Sequence, residues 1–384
     1  MKFFNEIVGL RAWLALWVAI GHGLELSGFL RRTNPVLKFL LDGHAAVVVF
    51  MIVSGFVITN LILTKQEAYP QYITRRFFRL FPAYFVCCIF GFLLAGPWLT
   101  VVRDVPWQHA AGWADYSRSI FELNDQVKNN FLPHFLLHLT MLHGLVPAEI
   151  LNRSAMTFVP AAWSISLEWQ FYLIAPLAIG SLGRTWRLFA VVAAAFLILF
   201  LYKHGVLGTY QIAASIAGET PYFALGIASR LAFEPLSRLK VSPVLIAALG
   251  VFIAYGLLSE PLQIVVWIIF FSFMRWHKQA AFPGSVFRLL TTSRPLLVLG
   301  EASYSLYLVH RLVQVALAWA SLGLVTMTPW TMLAIQMIAI AVAIPLSLLL
   351  YTYVERPGIR IGSMLAKALP GGKAARPERP PVPV

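Results

Sequence analysis

Windows of roughly 20 predominantly apolar residues recur from the N-terminus to about residue 354. At 1.5 Å rise per residue, each can cross a hydrocarbon core about 30 Å thick as a helix. Lipid offers no hydrogen bonds to an exposed backbone, so such runs must be helical throughout. Of 384 residues, 59% are apolar and 12% charged, whereas soluble domains average about 45–50% and about 25%. The expected fold class is therefore all-α: a polytopic transmembrane helical bundle.

Ten spans are expected, at about 7–26, 45–63, 77–96, 161–180, 186–202, 212–231, 242–258, 261–276, 296–322 and 330–354. The stretch FLPHFLLHLTMLHGLV (131–146) is ambiguous, being short, proline-containing and carrying His134, His138 and His143. Basic residues arbitrate. If this stretch does not cross and the N-terminus lies inside, most of the 30 Lys and Arg residues fall in inner segments. Among them are Lys65, Arg75, Arg76, Arg79, Arg230, Arg238, Lys240, Arg275, Lys278, Arg288 and Arg294. The positive-inside bias then favours ten helices with both termini cytoplasmic.

The net charge of +14 reads accordingly as topology beside anionic lipid, not as a nucleic-acid surface. Residues 1–360 form one membrane domain, and 361–384 are expected to be a disordered cytoplasmic tail rich in Pro and Gly. Cys87 and Cys88 are adjacent within an apolar run, which suits neither a disulfide framework nor a metal site; no metal is expected. The first span holds Arg11 and shows no cleavage pattern, so it reads as a retained helix. Residues 97–160 form the large external loop. Its Trp98, Trp107, Trp113 and Tyr116 fit interface anchoring or the lining of a carbohydrate-sized groove.

Ionisable residues inside spans are costly and default to functional sites. In GLRAWLALWVAIGH (9–22), Arg11 and His22 are eleven residues apart, about 16 Å along a helix and about 20° apart in azimuth. Glu25, three residues on, lies within reach of His22 on the same face. Lipid snorkelling of Arg11 and a structurally satisfied His22 are the alternatives. Ser54-Gly55 sits mid-helix in the second span, where small residues permit close helix approach; Ser54 can instead point into a site. Arg75, Arg76 and Arg79 share one or two turns at the cytoplasmic mouth of the third span. They suit either topology or a phosphorylated ligand. Glu168 and Tyr172 occupy the fourth span, and Tyr304, His310 and Arg311 the ninth. Buried charges of this kind need partners. His310 lies about 21 Å from the inner end of its helix, a depth matching His22, which suggests a shared cavity.

Six segments in order, GLRAWLALWVAIGH, FMIVSGFVITN, RRFFRLFPAY, WSISLEWQFYL, SYSLYLVH and YVERP, resemble the acyltransferase-3 family of integral membrane acyltransferases over about residues 5–360. The resemblance implies transfer of acetyl or another short acyl group from cytoplasmic acyl-coenzyme A (acetyl-CoA as co-substrate) to hydroxyls of envelope or secreted carbohydrates. It places Arg11 and His22 in the first-helix pattern. Arg76 and Arg79 fall in an Arg-x-x-Arg associated with the coenzyme A side, and Ser54, Glu168 and His310 in the remaining motifs. Two departures stand out. Val48 and Trp169 occupy positions where many members carry carboxylates, which removes any role for those groups here. Many relatives also carry a C-terminal esterase-like domain, in place of which a short tail is expected.

The expected chemistry has His22 as general base or covalent acyl relay, with Glu25 setting its tautomer. Arg11, Arg75, Arg76 and Arg79 would bind the coenzyme, and Ser54, Glu168, Tyr172, Tyr304 and His310 would support the site or bind substrate. Expected partners are acyl-CoA, a carbohydrate or lipid-linked carbohydrate acceptor and membrane lipids, without nucleic acid; a homo-oligomer is left open. The expected location is the bacterial inner membrane, multi-pass. The rival reading is a proton-coupled transporter or flippase of a glycolipid or polysaccharide, with the intramembrane His and Glu residues as a relay. The lack of an internal repeat weighs against one built from inverted halves.

Overall fold

The computed structural model describes residues 4–29, 35–65, 67–110, 112–181, 185–258 and 261–369. Among these the chain is helical and loop-connected, without strands. In chain order the principal helices are α1 (Asn5–Leu26), α2 (Gly43–Thr64), α3 (Tyr69–Leu93), α4 (Ala95–Asp104), α5 (Trp113–Asn129), α6 (Phe131–Leu139), α7 (Trp163–Gly180) and α8 (Thr185–Lys203). They continue with α9 (Ile216–Phe233), α10 (Pro243–Leu257), α11 (Leu262–Trp276), α12 (Ala281–Thr292), α13 (Arg294–Glu301), α14 (Ser303–Ser321), α15 (Pro329–Leu350) and α16 (Arg356–Ala368). Each apolar segment expected to span is largely helical, although 296–322 breaks at Ala302 between α13 and α14 and 212–215 precede α9. Among the described residues, five helical stretches are long and apolar enough to cross a membrane: Asn5–Leu26, Gly43–Thr64, Tyr69–Leu93, Trp186–Lys203 and Pro329–Ala368.

The ambiguous stretch does not form such a helix. Helix α6 has nine residues, about 13 Å of rise, and the chain turns at Met141 with φ 56°. At the C-terminal end, α16 runs to Ala368, so the first residues of the expected disordered tail are helical. The rest of it, 370–384, lies outside the described residues.

Helices α1, α2, α7 and α14 surround the interior, which their small and branched residues let close tightly. Gly55 of α2 meets Gly226 of α9 so closely that a Cβ on Gly55 would lie 2.4 Å from the Phe223 carbonyl oxygen. The Ser54-Gly55 pair thus does permit the helix approach expected of it. Outer helices instead expose large apolar side chains, as with Phe189 at 76% on α8 and Phe252 at 78% on α10. A polytopic membrane protein explains such faces, because lipid tails are as apolar as the side chains themselves.

The loop expected to be external, 97–160, folds as a cap over the end of α1. Trp113 is fully buried and its Nε1 donates to the Val102 carbonyl at 3.2 Å. Trp107, Trp113, Val101, Val102 and Val105 form an apolar core with Leu26 at the end of α1. Trp107 and Trp113 are therefore core residues, not interface anchors or groove lining. Their packing pins the cap beside His22 and Glu25.

Candidate active site

Sequence-selected residues gather into two adjacent sites. One, inner in the expected orientation, is a cavity of about 160 Å³ whose walls include Arg11, Ser54, Arg76, Arg79, Glu168, Tyr172, Tyr304 and Tyr307. Each helix supplies one edge: α1 brings Arg11, α2 Ser54, α3 the arginine pair, α7 Glu168 and Tyr172, and α14 the tyrosines. Glu168 is held as a carboxylate acceptor, its Oε1 taking hydrogen bonds from Ser54 Oγ at 3.1 Å and from the Tyr172 hydroxyl. The Arg76 guanidinium lies 5.8 Å from the Tyr172 ring centre and that of Arg79 5.9 Å from Tyr304. Cation–π contacts of this kind hold a charge without consuming its donors.

Arg79 also pairs with Glu355, which is fully buried and accepts a 2.6 Å hydrogen bond from Ser305 Oγ on its other oxygen. Arg75 does not join the cavity lining. It sits about 100° round the helix from Arg76 and faces Glu67 at 3.5 Å. The expected convergence of three arginines is thus reduced to two from α3, joined by Arg11.

The outer site holds His22, Glu25 and His310. Glu25 Oε2 lies 2.8 Å from His22 Nδ1, as the i,i+3 spacing implied. A carboxylate there makes Nδ1 the protonated nitrogen and leaves Nε2 as the basic one. The His310 ring stacks on His22 at 5.5 Å with 14° between planes, so the two histidines expected at matching depth do meet. His310 is fully buried, with Nδ1 3.2 Å from the Leu306 carbonyl and Nε2 without a hydrogen-bond partner. Arg311 donates to the His22 carbonyl at 3.0 Å and to the Tyr116 hydroxyl, and its guanidinium covers Trp98 at 4.9 Å. The cap thereby touches the histidine pair through a cation on α14.

The outer triad is not part of the cavity lining; the two sites share a wall. Tyr307 lines the cavity, and its ring centre is 5.9 Å from that of His310. Its hydroxyl donates to the Ala161 carbonyl at 2.5 Å and accepts from Ser164 Oγ at 2.8 Å. Reading by residue selected Tyr304 and His310 and passed over Tyr307, although 304, 307 and 310 form an i, i+3, i+6 stripe. Glu355 stood within a quoted segment without a role, because nothing local ties it to Arg79. Trp98 and Tyr116, expected as interface anchors or groove lining, meet the Arg311 guanidinium instead.

The chain is thus an apolar helical bundle with an arginine-lined cavity and, beyond one of its walls, a histidine paired with a carboxylate. Comparison with known families is decisive on class: residues 4–352 match the acyltransferase domain family, acyltransferase-3. The chain belongs to that family of integral membrane proteins and enzymes.

Among individual proteins it is similar to the O-acetyltransferase OatA of Staphylococcus aureus strain NCTC 8325, 23% identical over 343 residues, covering 80% of this chain and 50% of the relative. The same protein of strain COL matches identically. An uncharacterized protein of Haemophilus influenzae is 26% identical over 175 residues, covering 44% of this chain and 62% of that protein. The chain spans about half the length of the Staphylococcus relatives it matches. No solved structure matches it.

Proposed function

We propose that the chain is a membrane O-acyltransferase that moves an acyl group, acetyl in the simplest case, from cytoplasmic acyl-coenzyme A to a hydroxyl of an extracytoplasmic or lipid-linked carbohydrate. The observation that carries this reading is the His22–Glu25 pair beside the arginine-lined cavity, in a chain of this family. The name of the Staphylococcus relative, an O-acetyltransferase, favours acetyl to oxygen. Ten spans and both termini in the cytoplasm, read from the apolar windows and the charge pattern, and a bacterial inner membrane complete the reading.

A sugar hydroxyl is a weak nucleophile at neutral pH. His22 Nε2 accepts its proton while the oxygen attacks the thioester carbonyl carbon. Glu25 stabilises the resulting imidazolium through Nδ1–H. The tetrahedral intermediate collapses with cleavage of the carbon–sulfur bond, and the imidazolium returns the proton to the leaving thiolate. In the relay variant, His22 itself takes the acyl group and passes it to the acceptor. The arginine-lined cavity is where the phosphates of the donor dock, through guanidinium groups that no carboxylate among the described residues engages. Ser54 and Tyr172 serve Glu168, so they orient the cavity wall rather than act as nucleophiles.

The test is acyl transfer by the purified full chain in proteoliposomes, from labelled acetyl-CoA to isolated envelope glycans. H22A is expected to abolish transfer with insertion unchanged, and substantial residual activity would sink both versions. Movement of glycan that needs a proton gradient and no coenzyme A would instead favour the transporter reading.

A further inference from the structure

The three cavity arginines are not equivalent. Arg79 is committed to Glu355, whose two oxygens are both occupied, by Arg79 and by Ser305 at 2.6 Å. Glu355 is fully buried, so a ligand that drew Arg79 away would strand a desolvated carboxylate, the costliest way to break a buried pair. The backbone holds the pair as well. Tyr351–Glu355 is a π-helical turn between α15 and α16, and such turns are uncommon and concentrate at functional sites. Just beyond it, Gly358 and Gly362 press on Phe78 and Pro82 of α3; a Cβ on Gly362 would lie 2.5 Å from the Phe78 Cβ. Phe78 and Pro82 flank Arg79, so the segment that carries Glu355 is locked onto the helix that carries its partner.

Arg11 and Arg76 differ from Arg79 in their charge partners. Neither makes an ion pair with a carboxylate among the described residues, and Arg76 Nε is buried without a hydrogen-bond partner. Arg76 rests against the Tyr172 ring, which leaves its forked donors available. The third charge nearby, Glu168, is already engaged by Ser54 and Tyr172. Once Arg79 and Glu355 cancel, two guanidinium groups and one carboxylate remain, and the cavity carries an excess positive charge.

We propose that Arg11 and Arg76 are the receiving pair for a phosphate-ester or diphosphate group of the substrate, and that Glu355 with Arg79 is a positioning clamp that takes no part in binding it. This deepens the donor-site half of the reading above. The same chemistry has two sources, the phosphates of acyl-coenzyme A and the diphosphate of a lipid-linked sugar.

The experiment measures binding to the full chain in nanodiscs with two probes: coenzyme A added from solution, and a polyprenyl diphosphate incorporated in the disc. R11M and R76M are expected to weaken binding at least tenfold. R79M alone should lower thermal stability, since it strands Glu355. R79M/E355L, which removes the pair together, should regain that stability and bind within threefold of the unaltered chain. If that double variant does not fold, E355Q decides, with affinity expected unchanged or higher; a tenfold loss overturns the proposal. Loss in R79M/E355L equal to that in R76M also overturns it, as does failure of the unaltered chain to bind either probe. Arginine-dependent binding of the diphosphate lipid without coenzyme A would leave the pair assigned and remove acyl-coenzyme A as donor.

Discussion

Two groups of stacked imidazoles lie in this molecule, and their neighbours make them opposites. His22 and His310 stack at 5.5 Å, with Glu25 on the outer ring and a side-chain exposure of 31% at His22. His138 and His143 stack at 4.1 Å within the 97–160 segment, with Tyr84 parallel beside them. No carboxylate meets that second stack among the described residues. His143 Nε2 donates to the Ala162 carbonyl at 3.2 Å, and its Nδ1 accepts from the Tyr84 hydroxyl at 3.3 Å. A neutral ring with both nitrogens satisfied and no route to solvent is a structural part. A ring with one nitrogen on a carboxylate keeps the other free to accept a proton, which is what the proposed function asks of His22. Both groups come from apolar stretches, so burial in an apolar run does not by itself separate function from packing.

The sharpest way to break this comparison is to remove one histidine from each group. H22A should lower acyl transfer by on the order of 10²–10⁴-fold, measured on folded, inserted protein, while H143Q should leave turnover per folded molecule nearly unchanged. Equal losses would mean that both groups are structural or both catalytic. Next in size is the carboxylate. E25Q keeps the shape, removes the charge and should reduce turnover by on the order of 10²-fold with little change in the donor's KM. A loss confined to KM would place Glu25 in binding instead.

Acid sharpens the contrast from the other side. Burial holds His143 down to about 4 and His134 likewise, against about 6.5 in an unfolded chain. Between these values the unfolded state binds more protons. The contribution to stability is therefore complete above about pH 6.5 and is lost as the pH falls toward 4. For His143 this is about 2 kcal/mol by pH 5, read as a fall in thermal midpoint between pH 7.5 and 5 that H143Q diminishes. The smallest effect is expected at Arg311. R311K loses the fork that joins the His22 carbonyl to Tyr116 but keeps the charge, so activity should fall a few-fold. The cap should then open more readily, as seen by amide exchange at residues 113–120.

Much of this was legible in order along the chain. Apolar windows marked the helices because lipid enforces helicity over a set length. The pairing of His22 with Glu25 followed from helical spacing alone, since both partners share one element. The close approach at Gly55 was legible for the same reason, as absence of a side chain is a local property. Arg75 was misplaced because adjacent helix positions face about 100° apart, and only the neighbouring helices decide which face meets a cavity. Trp107 and Trp113 read as surface anchors because nothing in a loop's composition reveals that it has a core of its own.

By itself, then, the sequence determined the class: an all-α membrane bundle, its helical segments, and a first helix that carries a cation and a histidine on one stripe. Tertiary structure alone decided that these ionisable groups divide into an inner arginine cavity and an outer histidine site sharing the Tyr307 wall. It alone joined Arg79 to Glu355 across 276 positions of chain. The physical reason is range. Burial and helical periodicity act over a few residues and are written in any short window, whereas the partner that turns a buried charge into a binding group or a strut arrives from another helix.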